Sequence, residues 1–178
     1  AASILAAAQR PLIITAQSGR HENVVPHMAE LAELIAAPVI TERVRLSFPS
    51  APPMAAPAAL EADYIRNADA ILVVDSDIPW IPANTRPSPD AAVVWIDQDP
   101  VKDSIPLWTF PALVFEIREQ MTAAQSHAAE ERATSTEATH ASIVSRRRDQ
   151  SESFATEFPI VPDWLSYCIG QVMDENDI

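Results

Sequence analysis

The sequence predicts an α/β domain of three layers, a parallel sheet of about five or six strands flanked by helices, and three observations carry that expectation. Two apolar runs of strand length, Ala70 to Val74 and Ala91 to Ile96, contain no polar alternation. A strand without alternation is covered on both faces, as in a parallel sheet sandwiched between helices. Second, Leu12 to Thr15, the helically spaced Asn23 to Ala36, and Pro38 to Thr41 follow one another through short connections, the pattern of a right-handed βαβ unit. Third, the runs open into polar turns, Ala16 to Arg20, Asp75-Ser76-Asp77 and Asp97-Gln98-Asp99-Pro100. Ligands of such sheets gather at the carboxyl ends of the strands, so these turns are where a site is expected.

Taken in order, Ala1 to Gln9 is alanine-rich with Ile4 and Leu5 on one side, and reads as the end of a helix whose beginning lies before Ala1. The chain looks cut rather than begun. Arg10-Pro11 stops this helix before the first strand. In the helix expected over Asn23 to Ala36, Val24, Met28, Leu31 and Ile35 recur at helical spacing and Pro26 falls in the first turn, where a missing N–H costs little. Ser47 to Pro57 holds four prolines in eleven residues and is an irregular surface loop. Helical spacing returns over Ala58 to Asn67 through Leu60, Tyr64 and Ile65, and delivers the chain to the Ala70 to Val74 strand. A proline-rich excursion, Pro82 to Asp90, precedes the next strand; Pro106 to Phe115 contains a last short strand, and Glu116 to about Gln125 forms a helix with Ile117 and Met121 inward. From Ser126 to Ser153 the large aliphatics are Ile143 and Val144 alone, so this stretch is a poorly packed helix or a linker outside the compact fold. Phe158 to Pro162 then leads into Asp163 to Met173, where Leu165, Ile169 and Val172 repeat at helical spacing like the first helix of another domain.

Composition narrows the functions. The 178 residues are 48% hydrophobic and 21% charged, enough for one domain with a full core. A net charge of -13, with Lys102 the sole lysine, argues against nucleic acid, because a phosphate backbone needs clustered cations. Cys168 stands alone, so there is no disulfide framework or thiol metal cluster, and an intracellular, cytoplasmic chain fits. No apolar run approaches the roughly 20 residues that span a bilayer, and Ala1 to Ala8 lacks the basic flank of a signal peptide. Gly19 and Gly170 are the only glycines, so neither a dinucleotide fingerprint nor a P-loop can be written.

Among chemistry-bearing residues, Asp75, Asp77, Asp97 and Asp99 converge on the carboxyl edge of the sheet, where carboxylates could accept ribose hydroxyls or help hold a hard cation. The alternative is that they cap the turns and helices that follow. Either way they read as exposed carboxylates without buried partners. His21, His27, His127 and His140 show no metal-ligand spacing with one another or with Cys168, and Ser18 lacks a nucleophile elbow. Arg146-Arg147-Arg148 reads as a solvated face or an intersubunit salt bridge, and Trp80, Trp95, Trp108 and Trp164 as packing anchors.

Four stretches, AAAQRPLIITAQSGR, MAELAELIAAPVIT, ADAILVVDSDIPWIP and AAVVWIDQDPVKDSIPLWTFPA, cover roughly residues 1 to 115. In order and spacing they resemble the central domain of thiamine pyrophosphate (TPP)-dependent enzymes, in the acetolactate-synthase-like group of decarboxylases and carboligases acting on 2-oxo acids. The resemblance implies a Rossmann-like central domain over residues 1–125, a linker over 126–158, and over 159–178 the truncated start of the following pyrophosphate-binding domain. It implies a non-catalytic, structural and interdomain role in a parent lyase or transferase, a homo-oligomer (dimer or tetramer). That parent uses thiamine pyrophosphate and Mg²⁺ between its flanking pyrimidine- and pyrophosphate-binding domains. The activating glutamate and the Gly-Asp-Gly to Asn metal motif of the family belong to those domains. No catalytic or metal residue is therefore assigned, and the piece is expected to be inactive and free of cofactor by itself. Some members hold FAD or ADP at the strand ends. Here Thr15-Ala16-Gln17-Ser18 replaces the glycine-rich first turn and Asp75-Ser76-Asp77 replaces a Gly-x-Arg, which removes close backbone approach and a cation from the place of a diphosphate. Gln17, Ser18, Asp75, Ser76, Asp77, Asp97 and Asp99 are then a vestigial nucleotide crevice, with FAD or ADP held at about mM affinity at best. The rival readings are a free-standing ADP- or FAD-binding module and a pure oligomerisation domain.

Overall fold

The computed structural model describes residues 1–42, 47–49 and 53–174. Part of the expected loop Ser47 to Pro57 lies outside these residues. The chain divides into two compact units, Ala1–Glu137 and Ala138–Ile178. The first contains α1 (Ala2–Ala7), β1 (Pro11–Thr15), α2 (Val24–Leu34), β2 (Val39–Thr41), α3 (Glu61–Asn67), β3 (Ala70–Val74), β4 (Ala92–Asp97), β5 (Ile105–Pro106), α4 (Phe110–Gln120) and the beginning of α5 (Ala123–Ser153).

The five strands form one sheet in the order β2-β1-β3-β4-β5, and every neighbouring pair is parallel. The expected parallel α/β architecture is therefore present, with five strands. The chain steps outward from β1 to β2, then returns past β1 to β3, so the winding direction reverses between β1 and β3. The connections that leave their carboxyl ends run to opposite sides there, which is where a crevice forms in sheets of this kind. Both β1 and β3 are buried along their whole length, which is why neither shows a polar alternation. Their alternate side chains enter two cores. On one face Ile13, Leu72 and Val74 pack with Leu5 of α1, Met28 and Leu31 of α2, and Phe110 and Ile117 of α4. On the other, Leu12, Ile14, Ile71 and Val73 pack with Ile65 of α3. Each such side chain contributes about 1.5–3 kcal/mol on burial.

The connection from β3 to β4, residues 75–91, is non-helical. Its Trp80 packs with Trp95 of β4 at 6.4 Å between ring centroids, so an aromatic pair supplements α3 as the cover of the second face. The outer strands are blunted. Val39 N–H donates to the Met54 carbonyl at 2.7 Å and its own carbonyl accepts from Ala56 N–H at 2.8 Å, covering β2. On the opposite edge, β5 is two residues long and ends in proline.

One stretch differs from expectation. Helix α4 starts at Phe110, not Glu116, and the last strand is confined to Ile105–Pro106. Pro111 suits a first helical turn, and Phe110, Leu113, Val114 and Ile117 share the buried face. The apolar run Leu113 to Phe115, with the strand-favouring Val114 and Phe115, concealed this helical period. Helix α5 is 31 residues long, the helical one of the two forms expected of this stretch, and its first part lies in the unit Ala1–Glu137. Alanines make the attachment: Ala129 is buried and Ala133 packs against the core. A search for large aliphatics passes over such contacts.

The second unit holds the rest of α5 and α6 (Pro162–Val172). No described residue from 138 to 174 is buried. Trp164 stacks on Tyr167 at 5.6 Å, and the Tyr167 hydroxyl donates to Glu152 at 2.8 Å. That bond holds the phenol above its ordinary pKa. Among the described residues no helix is long and apolar enough to cross a membrane.

Candidate functional site

The site is built where β1, β3 and β4 end. At the end of β1, the Thr15 and Ser18 hydroxyls lie 2.6 Å apart, Ser18 donates to the Ser47 carbonyl at 3.2 Å, and Ser47 donates to the Ala16 carbonyl at 2.7 Å. These hydroxyls are buried and tie the turn after β1 to the segment beyond β2. The Gln17 N–H then donates to the Asp75 carbonyl at 3.0 Å, joining the turns that follow β1 and β3.

Asp75 takes a left-handed backbone conformation, φ 50°. This is the position at which the resemblance places a glycine, and aspartate is among the few residues that enter this region readily. Its side chain is 3% exposed. Arg20 grips it as a fork, Nη2 to Oδ1 at 2.8 Å and Nε to Oδ2 at 3.1 Å, with His21 Nε2 at 3.5 Å. Beside this pair, Lys102 Nζ donates to Asp77 Oδ1 and to Asp97 Oδ2, each at 2.6 Å. The hydrogen bond to Asp77, then that to Asp97, raise the lysine pKa against the opposing effect of burial. Asp97 Oδ1 accepts the Asp99 N–H at 2.8 Å, and Asp99 Oδ1 accepts the Val101 N–H at 2.9 Å, two successive aspartate turns.

The expectation of exposed, unpartnered carboxylates is thereby corrected for Asp75 and Asp97. Both are buried, and each has a cation on it. Together Arg20 and Lys102 fasten three strand-end turns to one another. Sequence reasoning passed over both. Lys102 was visible as the sole lysine, five residues after Asp97, and Arg20 lies in the first polar turn itself.

Of the seven residues assigned to the crevice, Gln17, Asp75, Asp77, Asp97 and Asp99 line a space of about 430 Å³ with Arg20, Gln98 and Lys102. Ser18 and Ser76 are turned into other bonds, Ser18 to the Ser47 carbonyl and Ser76 to the Glu42 carboxylate. A wider groove of about 700 Å³ continues from there past His21, Asn23 and Trp108. Trp108 is 82% exposed, so it is no packing anchor within this unit.

The lining does not suit a diphosphate. Four aspartates face two cations, and both cations already serve carboxylates. A polyanion would meet net negative charge without the glycine-permitted backbone approach that usually cradles it. Among the described residues no group of three or more His, Cys, Asp or Glu is placed to hold a metal ion. Gly170 lies within α6 and not in a cofactor turn. The lining of this crevice thus does not fit thiamine pyrophosphate and its cation, and no chemical step is assigned to it.

No family model matches the chain, and no curated protein matches it. Solved structures do. Over 65% of this chain it is similar, at 21% identity and a TM-score of 0.50, to a protein isolated from Mycobacterium smegmatis and described as a thiamin diphosphate-dependent enzyme. Over 67% it is similar, at 22% identity and a TM-score of 0.48, to benzoylformate decarboxylase from Polynucleobacter necessarius. The chain spans 26% of the length of each. At this identity the first likeness establishes a shared fold, a parallel α/β domain that occurs as one part of a much longer protein.

Proposed function

We propose that this chain is a non-catalytic central domain of a thiamine-pyrophosphate-dependent enzyme, acetolactate-synthase-like and acting on 2-oxo acids, with a structural and interdomain role. The observation that carries the reading is the strand-end crevice whose cations are already engaged by the chain's own carboxylates, on a fold found within a chain described as thiamin diphosphate-dependent. The order of the four stretches over residues 1 to 115 supports the finer assignment. On this reading thiamine pyrophosphate and Mg²⁺ belong to the flanking pyrimidine- and pyrophosphate-binding domains, the parent is a lyase or transferase, and residues 159–178 begin the pyrophosphate-binding domain. The parent is a homo-oligomer and works in the cytoplasm.

Isothermal titration with thiamine pyrophosphate and Mg²⁺, then with FAD and ADP, tests the non-catalytic assignment. No heat above the dilution background is expected. Micromolar thiamine pyrophosphate binding overturns the assignment, and micromolar FAD or ADP binding replaces it with the nucleotide-module reading. Sequencing the flanking coding region tests the parent: a glutamate-bearing domain upstream and a Gly-Asp-Gly to Asn motif downstream are expected.

A further inference from the structure

The first part of α5 belongs to the α/β unit while the remainder does not, although the helix is continuous and polar throughout. Three residues on one face of that first part contact the α/β unit. Ala129 and Ala133, one helical turn apart, are small enough to bring the helix backbone close to the core. Between them, Arg132 reaches the end of α2 and donates from Nη2 to the Ile35 carbonyl at 2.9 Å.

That carbonyl is where an extra donor has most effect. Ala36 turns the chain out of α2 with φ 48°, and the N–H groups of Ala36 and Ala37 return to the Glu33 and Ala32 carbonyls at 3.2 and 2.9 Å. This closing motif satisfies those two acceptors. The Ile35 carbonyl instead accepts from Arg132, at the end of a helix where the backbone dipoles favour a cation. Burial works against the guanidinium charge and Asp69 partly compensates it. Asp69 is itself held in place by the Gln9 and Arg10 N–H groups, both at 2.8 Å.

We propose that Arg132 is the latch that holds the first part of α5 on the α/β unit. The inference does not depend on the cofactor reading. Without the latch, residues 123–137 are a polar helix held by two alanines, and polar helices of that length are marginal in water.

Hydrogen exchange on the full chain, read by mass spectrometry, tests this with Arg132→Met and Arg132→Lys. In the wild type, amides of residues 126–137 are expected to exchange more slowly than those of 140–153. The Met variant keeps the stem but loses charge and donor, and should speed exchange over 126–137 by about 10-fold or more while β3 stays protected. The Lys variant keeps a cation and a donor and should stay within about 3-fold of wild type. Unchanged protection in the Met variant overturns the latch, because packing alone then suffices. Loss of protection in β3 as well overturns it too, because Arg132 would then serve the whole core.

Discussion

Asp97 shows how much one contact decides at the strand ends. Its side chain is 3% exposed, and Lys102, about one-third exposed, is the cation on it. Replacing Lys102 by Met leaves a buried carboxylate without its counter-charge. The expected loss, reduced because the lysine is partly solvated, is about 1–3 kcal/mol by urea titration. Adding Asp97→Asn to Lys102→Met should recover part of it, since the stranded charge is then gone. The pH dependence has a definite sign. Lys102 has its pKa raised above 10.5 in the folded state, so the stabilisation is complete below that value and disappears as pH rises through the folded-state pKa. Wild type should therefore lose more stability than Lys102→Met above about pH 10.5 in alkaline unfolding curves. The aspartates of this site were legible, because polar turns at the ends of buried runs mark the functional edge of a parallel sheet. Their partners were not, since a side chain that reaches back across a turn leaves no periodic trace in the sequence.

Among the elements, β3 could be read directly. Ala70 to Val74 is a strand with the expected bounds, buried on both faces. Val73 has no exposure and faces the α3 side. Val73→Asp should abolish cooperative folding, because burying an unpaired carboxylate costs several kcal/mol against a domain stability of about 5–15 kcal/mol. A soluble variant with a cooperative thermal transition by circular dichroism would mean that β3 is not central. The misread element, α4, fails for a physical reason too. In α4 the local preference of Val114 and Phe115 for strands competes with the helical period of Phe110, Leu113 and Ile117, and burial of that face decides the outcome. In α5 the contacts with the core come from Ala129, Ala133 and the Arg132 guanidinium, which a tally of large apolar residues cannot register.

For the whole molecule, the contrast between the two units supplies a direct test. The α/β unit has apolar cores on both faces of its sheet. Residues 138 to 174 have no buried side chain, while Phe158, Ile160 and Val172 are 96%, 63% and 79% exposed. Burial of apolar groups is the main term that offsets the entropy of ordering a chain, so the second unit should open locally far more often than the first. Trypsin converts this into a mass. Arg146, Arg147 and Arg148 lie in the second unit, whereas Arg118 and Arg132 lie in the first, and Arg132 is held to the Ile35 carbonyl. Limited digestion should cut first after Arg146 to Arg148 and leave a resistant fragment, with cleavage after Arg132 appearing only later. Simultaneous cleavage at Arg132 and Arg146 would place the boundary nearer residue 125 and remove the distinction between the two parts of α5. If resistance of the Arg146 to Arg148 bonds rises with protein concentration, the exposed apolar residues of the second unit are being covered by another copy of the chain.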